Sequence, residues 1–191
     1  MEDHGGSPGA LREGKFFTFE GGMRIPAIVQ WTGKIQKGQV YRKPAAQMDW
    51  FPTFARISGI ELPADRPIDG KDLSQVLFMN GERGDDSFLF MEGRSLQGYR
   101  QGDWKVKLPF KGFEGADWKQ AVAAHDTLLF NLKKDPGEKD NLFYAHKELA
   151  RELITEMNAR YTNLGKLPPT LITQSPEDKS HFEYLLRKHA K

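Results

Sequence analysis

Gly14-Lys15-Phe16-Phe17-Thr18-Phe19-Glu20-Gly21-Gly22-Met23-Arg24-Ile25-Pro26-Ala27-Ile28 joins two kinds of chain. Its first nine residues set an ammonium and a carboxylate among glycines, which let backbone come close to a ligand while a charged group faces it. The part that follows, as far as Trp31, is mostly apolar with β-branched members. It predicts a strand over 23–31, and Pro26 restricts that strand to an edge or to its own first residues. Upstream, Asp3-His4-Gly5 opens a glycine-rich loop over 4–14. Carboxylate, imidazole and ammonium in so short a segment are the composition of a site that holds an anion beside a metal ion.

Turn signals at Thr32-Gly33-Lys34 and Lys37-Gly38-Gln39 close the predicted strand. Asp49 to Ser58 reads as a helix with Asp49 as N-cap, Pro52 in the first turn and Gly59 as terminator. Residues 61–86, rich in Pro, Gly and Asp, read as a surface connection with one helical turn at 73–78. Beyond them the pattern becomes antiparallel β, with short runs at 87–92, 96–100, 104–108 and 127–132. Gln101-Gly102-Asp103 is the hairpin turn between the second and third. Leu149, Leu153, Met157, Tyr161 and Leu164 recur at helical spacing and predict a helix over 146–163. Ser175, Pro176 and Asp178 open a last predicted helix over 176–189.

Several short runs occur in one order: Gly14-Lys15 through Glu20-Gly21-Gly22, Arg24-Ile25-Pro26-Ala27-Ile28, Met48-Asp49-Trp50-Phe51-Pro52-Thr53, Ile68-Asp69-Gly70-Lys71-Asp72-Leu73-Ser74, Arg100-Gln101-Gly102-Asp103-Trp104-Lys105 and Asp135-Pro136-Gly137-Glu138-Lys139-Asp140-Asn141-Leu142. Each alone is weak. Together with Asp3-His4-Gly5 they resemble the sulfatase family, over roughly residues 2–165 and for the back part of a sulfatase only.

The resemblance implies an α/β fold, α+β as a fragment: the carboxyl-terminal part of an alkaline-phosphatase-like sulfatase, with a small four-stranded antiparallel sheet packed on a helix. Residues 1–84 would be the end of the catalytic domain, with active-site loop, edge strand and helix. Residues 85–165 would be the small sheet and its helix, and 166–191 a tail. The implied activity of the complete enzyme is hydrolysis of a sulfate ester in a sulfated small molecule or glycan. Lys15 would be the catalytic, sulfate-binding lysine, and Asp3 and His4 would be ligands of Ca²⁺.

Family members attack with a formylglycine made from a Cys or Ser in a [CS]-x-P-[SA]-R motif, and no such motif occurs in these 191 residues. The chain alone is therefore expected to be inactive, with an amino-terminal sulfatase half as its implied partner. Two other readings share the sequence: a non-catalytic interaction piece or half of a split enzyme, and a phosphoesterase of the same superfamily. Phosphoesterase sites use several metal-binding His and Asp residues, whereas this segment offers Asp3-His4. Members of the family are often periplasmic, secreted or lysosomal.

The remaining charged and aromatic residues divide between structure and substrate. Arg94 and the aromatic loop from Phe110 to Trp118 are candidates to line a substrate cleft, because loops set specificity on rigid scaffolds. Glu20 and Arg24 read as an ion pair that fixes the loop between them. Trp104 and Leu108 read as core of the small sheet, and Asp103, Asp135, Pro136, Gly137 and Asn141 as turn chemistry. His125, His146, His181 and His189 share no metal-ligand spacing.

Composition narrows the rest. Lys plus Arg number 28 against 26 Asp plus Glu, so the net charge of +2 gives no general affinity for nucleic acid or a membrane surface. There is no cysteine, which removes disulfides, thiolate metal sites and cysteine nucleophiles. The opening Met-Glu-Asp-His does not resemble a signal peptide, and no apolar run reaches the length of a membrane span.

Overall fold

The computed structural model describes residues 6–92, 95–112 and 123–164. Asp3, His4, Arg94, most of the aromatic loop and the last predicted helix lie outside the described residues. The sheet comprises β1 (Ser87–Glu92), β2 (Ser95–Gln101), β3 (Trp104–Lys107) and β4 (Leu128–Asn131), antiparallel and in the order 1-2-3-4. Gln101 pairs with Trp104, so Gly102 and Asp103 form the predicted hairpin turn. Among the described residues, no helix is long and apolar enough to cross a membrane.

Side chains alternate across a strand, and both faces of this sheet are covered. On one face Tyr99, Val106 and Leu129 pack against Ala150, Leu153 and Met157 of α4 (Lys147–Leu164), with Trp104 and Leu108 half-buried at the margin. Burying Leu153 and Met157 is worth about 1.5–3 kcal/mol each. Tyr161, part of the predicted stripe, is more than one-third exposed; Ala150 completes the contact instead. Arg160 ties α4 to the start of β1 through Asp85 at 3.3 Å, and bonds Glu156 one turn earlier at 2.7 Å.

The opposite face is covered by the segment before residue 23. Phe19 packs on Leu128, Phe130 and Leu132, and Phe17 packs beside them. A single helical turn, α1 (Glu20–Met23), ends this cover. The expected strand over 23–31 does not form: Met23 closes α1, and residues 24–31 are irregular. Pro26 has no N–H to give to a ladder, and no strand of the described residues lies alongside. Ile25 and Ile28 are left 75% and 96% exposed.

The helix over 50–58 forms as predicted, as α2 (Trp50–Ser58), and closes at Gly59 with φ 68°. Asp49 precedes it, but its carboxylate does not cap α2. It is fully buried and accepts from the Ala46 and Lys71 amides and, in a fork, from Nε and Nη2 of Arg83, at 2.7–2.9 Å. Burial alone would raise the Asp49 carboxyl; the Arg83 bonds and the two amides outweigh it and hold the group below the usual carboxylate range. Thr53 donates to the Asp49 carbonyl and accepts from the Leu73 amide, and the Asp72 carboxylate accepts from the Ser74 amide and hydroxyl where α3 (Ser74–Met79) begins. A methyl group on Gly70 would meet the Met48 carbonyl oxygen at 2.2 Å. The Met48–Thr53 and Asp69–Ser74 runs are thus two halves of one buried joint.

Candidate functional site

Lys15 stands exposed at the crown of a loop whose ends lie close together. Glu13 and Phe16 flank it in the left-handed region, at φ 58° and 81°, and for a bulky aromatic residue that conformation persists only where the surroundings over-determine it. The Phe17 amide donates to the Gly14 carbonyl at 3.2 Å and the Gly21 amide to the Arg12 carbonyl at 2.9 Å. The glycine pair is needed for close approach: a methyl on Gly21 would sit 2.2 Å from the Glu13 carbonyl oxygen, and one on Gly22 would sit 2.1 Å from that of Phe17. The Lys15 ammonium lies 5.0 Å from the centre of the Phe16 ring.

Beneath the crown lies a buried set of charges. The Lys105 ammonium, fully enclosed, is 2.9 Å from Oε1 of Glu20 and 2.9 Å from Oε1 of Glu138. Arg100 approaches the other Glu20 oxygen at 3.4 Å, and the Glu20 amide donates to Oε2 of Glu138 at 2.6 Å. The expected Glu20–Arg24 ion pair is not what forms. Arg24 is exposed and bonds the Glu20 carbonyl only through its backbone amide, because α1 turns the Glu20 side chain inward onto β3. Burial pushes the Glu138 carboxyl up, against the opposing pull of Lys105.

Two residues along β3, on the same face, Lys107 donates to Thr18 Oγ1 at 2.6 Å and sits 4.2 Å over the Phe19 ring. Burial, joined by the neighbouring Lys105 charge, lowers Lys107 to about 7. The Arg12 guanidinium covers the Phe19 ring at 4.2 Å. A small cleft beside the loop is lined by Phe17, Thr18, Glu92, Gln97, Phe110 and His125 among others. In sequence Arg94 falls between Glu92 and Gln97.

The structure therefore brings Lys15 and Glu20 onto one loop and sets that loop on the small sheet. Asp135 accepts from the Lys139 and Asp140 amides, as its turn reading requires. Lys105, Lys107 and Glu138 were not singled out by sequence reading. The signal for the two lysines was present in Trp104-Lys105-Val106-Lys107, a strand whose alternate positions are lysines, in a sheet that proves to be covered on both faces.

A second region of interest is apolar and exposed. Ile28, Val29, Gln47, Trp50 and Phe54 line an open groove, in which the Trp50 and Phe54 rings stack 5.5 Å apart.

Steryl-sulfatase of Rattus norvegicus is 49% identical over 194 residues, covering 89% of this chain and 34% of that protein. Arylsulfatase A of Bos taurus is 36% identical over 165 residues, covering 79% and 32%. A solved sulfatase from Pseudoalteromonas sp. superposes with a TM-score of 0.71 at 26% identity, over 83% of this chain and 33% of its own. The chain thus spans about a third of the length of these relatives. The family model for the C-terminal region of N-sulphoglucosamine sulphohydrolase matches residues 13–166, and with it the chain belongs to the sulfatases, as a carboxyl-terminal segment of their alkaline-phosphatase-like fold.

Proposed function

We propose that this segment supplies the sulfate-gripping lysine of a sulfuric ester hydrolase. The observation that carries the proposal is Lys15: an exposed ammonium between two left-handed residues, on a loop fixed from below by buried ions. Hydrolysis of a sulfate ester spreads negative charge over the outer sulfate oxygens and the leaving oxygen, and a pre-placed cation stabilises that charge without reorganising as it forms. The relatives' names, steryl-sulfatase and arylsulfatase A, support a sulfate ester as the substrate. Arg94, between two residues that line the neighbouring cleft, is proposed to contact the rest of that substrate.

The rest of the site would come from outside these residues. A formylglycine would supply the attacking oxygen in the complete enzyme, and Ca²⁺ would be held in part by Asp3 and His4. Ca²⁺ takes six to eight oxygen ligands, and no group of three His, Asp, Glu or Cys residues among the described ones could hold a metal ion. The described residues do not complete the cation's shell, and the contribution proposed for them is the lysine clamp. The exposed Ile25, Ile28 and Phe54 side chains, with Trp50 half-buried beside Phe54, support a role for an amino-terminal sulfatase half in covering this face. The proposed limits of the catalytic-domain end and the small sheet unit are 1–84 and 85–165.

The test is made with an aryl sulfate in a sulfatase that joins this segment to an amino-terminal half bearing the formylglycine motif. Lys15→Ala is expected to lower kcat roughly a hundredfold or more, the scale of losing one pre-placed electrostatic donor, and Lys34→Ala to change little. Equal, small effects at both positions would remove Lys15 from the mechanism.

A further inference from the structure

One residue holds both ends of the Lys15 loop. At the entry, Arg12 Nη1 donates to the Glu138 carbonyl at 3.0 Å; at the exit, the Glu20 amide donates to the Glu138 carboxylate at 2.6 Å. Glu138 is fully buried and adopts φ 53°, a conformation that a residue with a Cβ takes against its own sterics. It comes from the Asp135-Pro136-Gly137 turn after β4, where a methyl on Gly137 would sit 2.9 Å from the Ala10 carbonyl oxygen. Lys105 then joins the Glu138 carboxylate to that of Glu20.

We propose that Glu138, acting with Lys105, is a positioning residue that sets where the Lys15 ammonium meets the transferring group. A buried ammonium between two carboxylates contributes little stability compared with apolar side chains of the same volume. What it adds is a demand on geometry: the two carboxylates must stay within reach of one Nζ, and the loop ends can then occupy one place only. Since a misplacement of about 1 Å in a catalytic group can cost on the order of a hundredfold in rate, such a clamp acts on turnover without touching substrate. Its kinetic consequences rest on the reading of Lys15 given above. The clamp itself does not.

The experiment uses this segment joined to the same amino-terminal half, with two readouts. Glu138→Gln keeps the shape and an acceptor for the Glu20 amide but drops the charge that holds Lys105. It is expected to speed native-state tryptic cleavage after Lys15 by about tenfold while cleavage after the exposed Lys34 keeps its rate, because a loosened loop is cut from its open population. With an aryl sulfate it is expected to lower kcat about tenfold with KM changed less than about twofold. In a Lys15→Ala background the same substitution should change kcat less than about twofold, since a residue that acts through Lys15 has nothing left to place. Arg12→Gln, which leaves the buried ions intact, should give the same pattern at smaller amplitude, and it decides the question if Glu138→Gln does not fold. Unchanged cleavage after Lys15, or an equal kcat loss with and without Lys15, overturns the proposal. If Lys15→Ala alone leaves kcat intact, the sulfate reading falls, and the cleavage ratio still decides whether the clamp exists.

Discussion

Lys107 offers a test of the loop-facing side of the sheet that needs no substrate. Its ordinary value is 10.5, and in the fold burial and the adjacent Lys105 charge bring it to about 7, with Arg12 pulling the same way and Glu138 and Glu92 opposing. Because the folded value is the lower one, the unfolded chain binds more protons between about pH 7 and 10.5, and stability contributed through this group must rise with pH across that window. Below pH 7 both states are protonated and the unfavourable term is constant. Integrating the linkage relation for these two values gives a gain of about 2 kcal/mol from pH 7 to pH 9. Lys107→Met keeps the stem over Phe19 but cannot titrate, and it leaves the buried Thr18 hydroxyl without its donor, a pH-independent loss of about 1–3 kcal/mol. Urea denaturation of both proteins at pH 7, 8 and 9 should therefore show curves that diverge, the wild-type chain gaining at least about 1 kcal/mol relative to the variant. Parallel curves would refute the reasoning, since they would mean that Lys107 keeps its proton in the fold.

Asp49→Asn opposes an amide N–H to a donor of Arg83 in a fully buried joint. It is expected to destabilise by about 3–5 kcal/mol, seen as a melting temperature lower by roughly 6–20 °C; Lys43→Ala, which removes the exposed Lys43–Glu82 pair, should give no measurable shift, and comparable shifts for the two would contradict the account of the joint. Limited proteolysis of the 191-residue chain should cut within residues 24–46, where apolar side chains are exposed and ladder bonds are lacking, before it cuts within the strands of the small sheet or within α4. Uniform protection would argue that this face is covered within the chain itself.

The small sheet and its helix were legible because their signals are local. Alternation, a Gly-containing turn and a helical stripe each read within a dozen residues, and tertiary contacts reinforced them. The strand over 23–31 was misread because a β-branched run reports only that a segment would suit a pleated surface; whether a neighbouring strand exists is a separate question, and none of the described ones lies beside it. Lys15 was legible through its frame of glycines, although nothing in that frame said what those glycines touch. Glu20 was read as structural but given the wrong partner, since Arg24 is near in sequence while Lys105 is 85 residues away. Glu138 stood in the sequence only as a member of the Asp135–Leu142 run, next to the residues read as a turn, and that turn is there. That its carboxylate points inward follows from a contact 118 residues distant, which no local pattern encodes.

The strand order 1-2-3-4 has a consequence for the order of assembly. Each strand pairs with its predecessor, so the longest connection within the sheet runs only over residues 108–127, whereas the bond from Glu20 to Glu138 closes a circuit of 118 residues. Short circuits lose less chain entropy and form first. The lysine loop is thus expected to dock onto a platform already built, arriving late in folding and leaving early in unfolding, so that substitutions at Glu20 or Gly22 should act on the unfolding rate far more than on the folding rate. A nascent chain would carry Lys15 past the ribosome exit long before the surface that orders it had been synthesised.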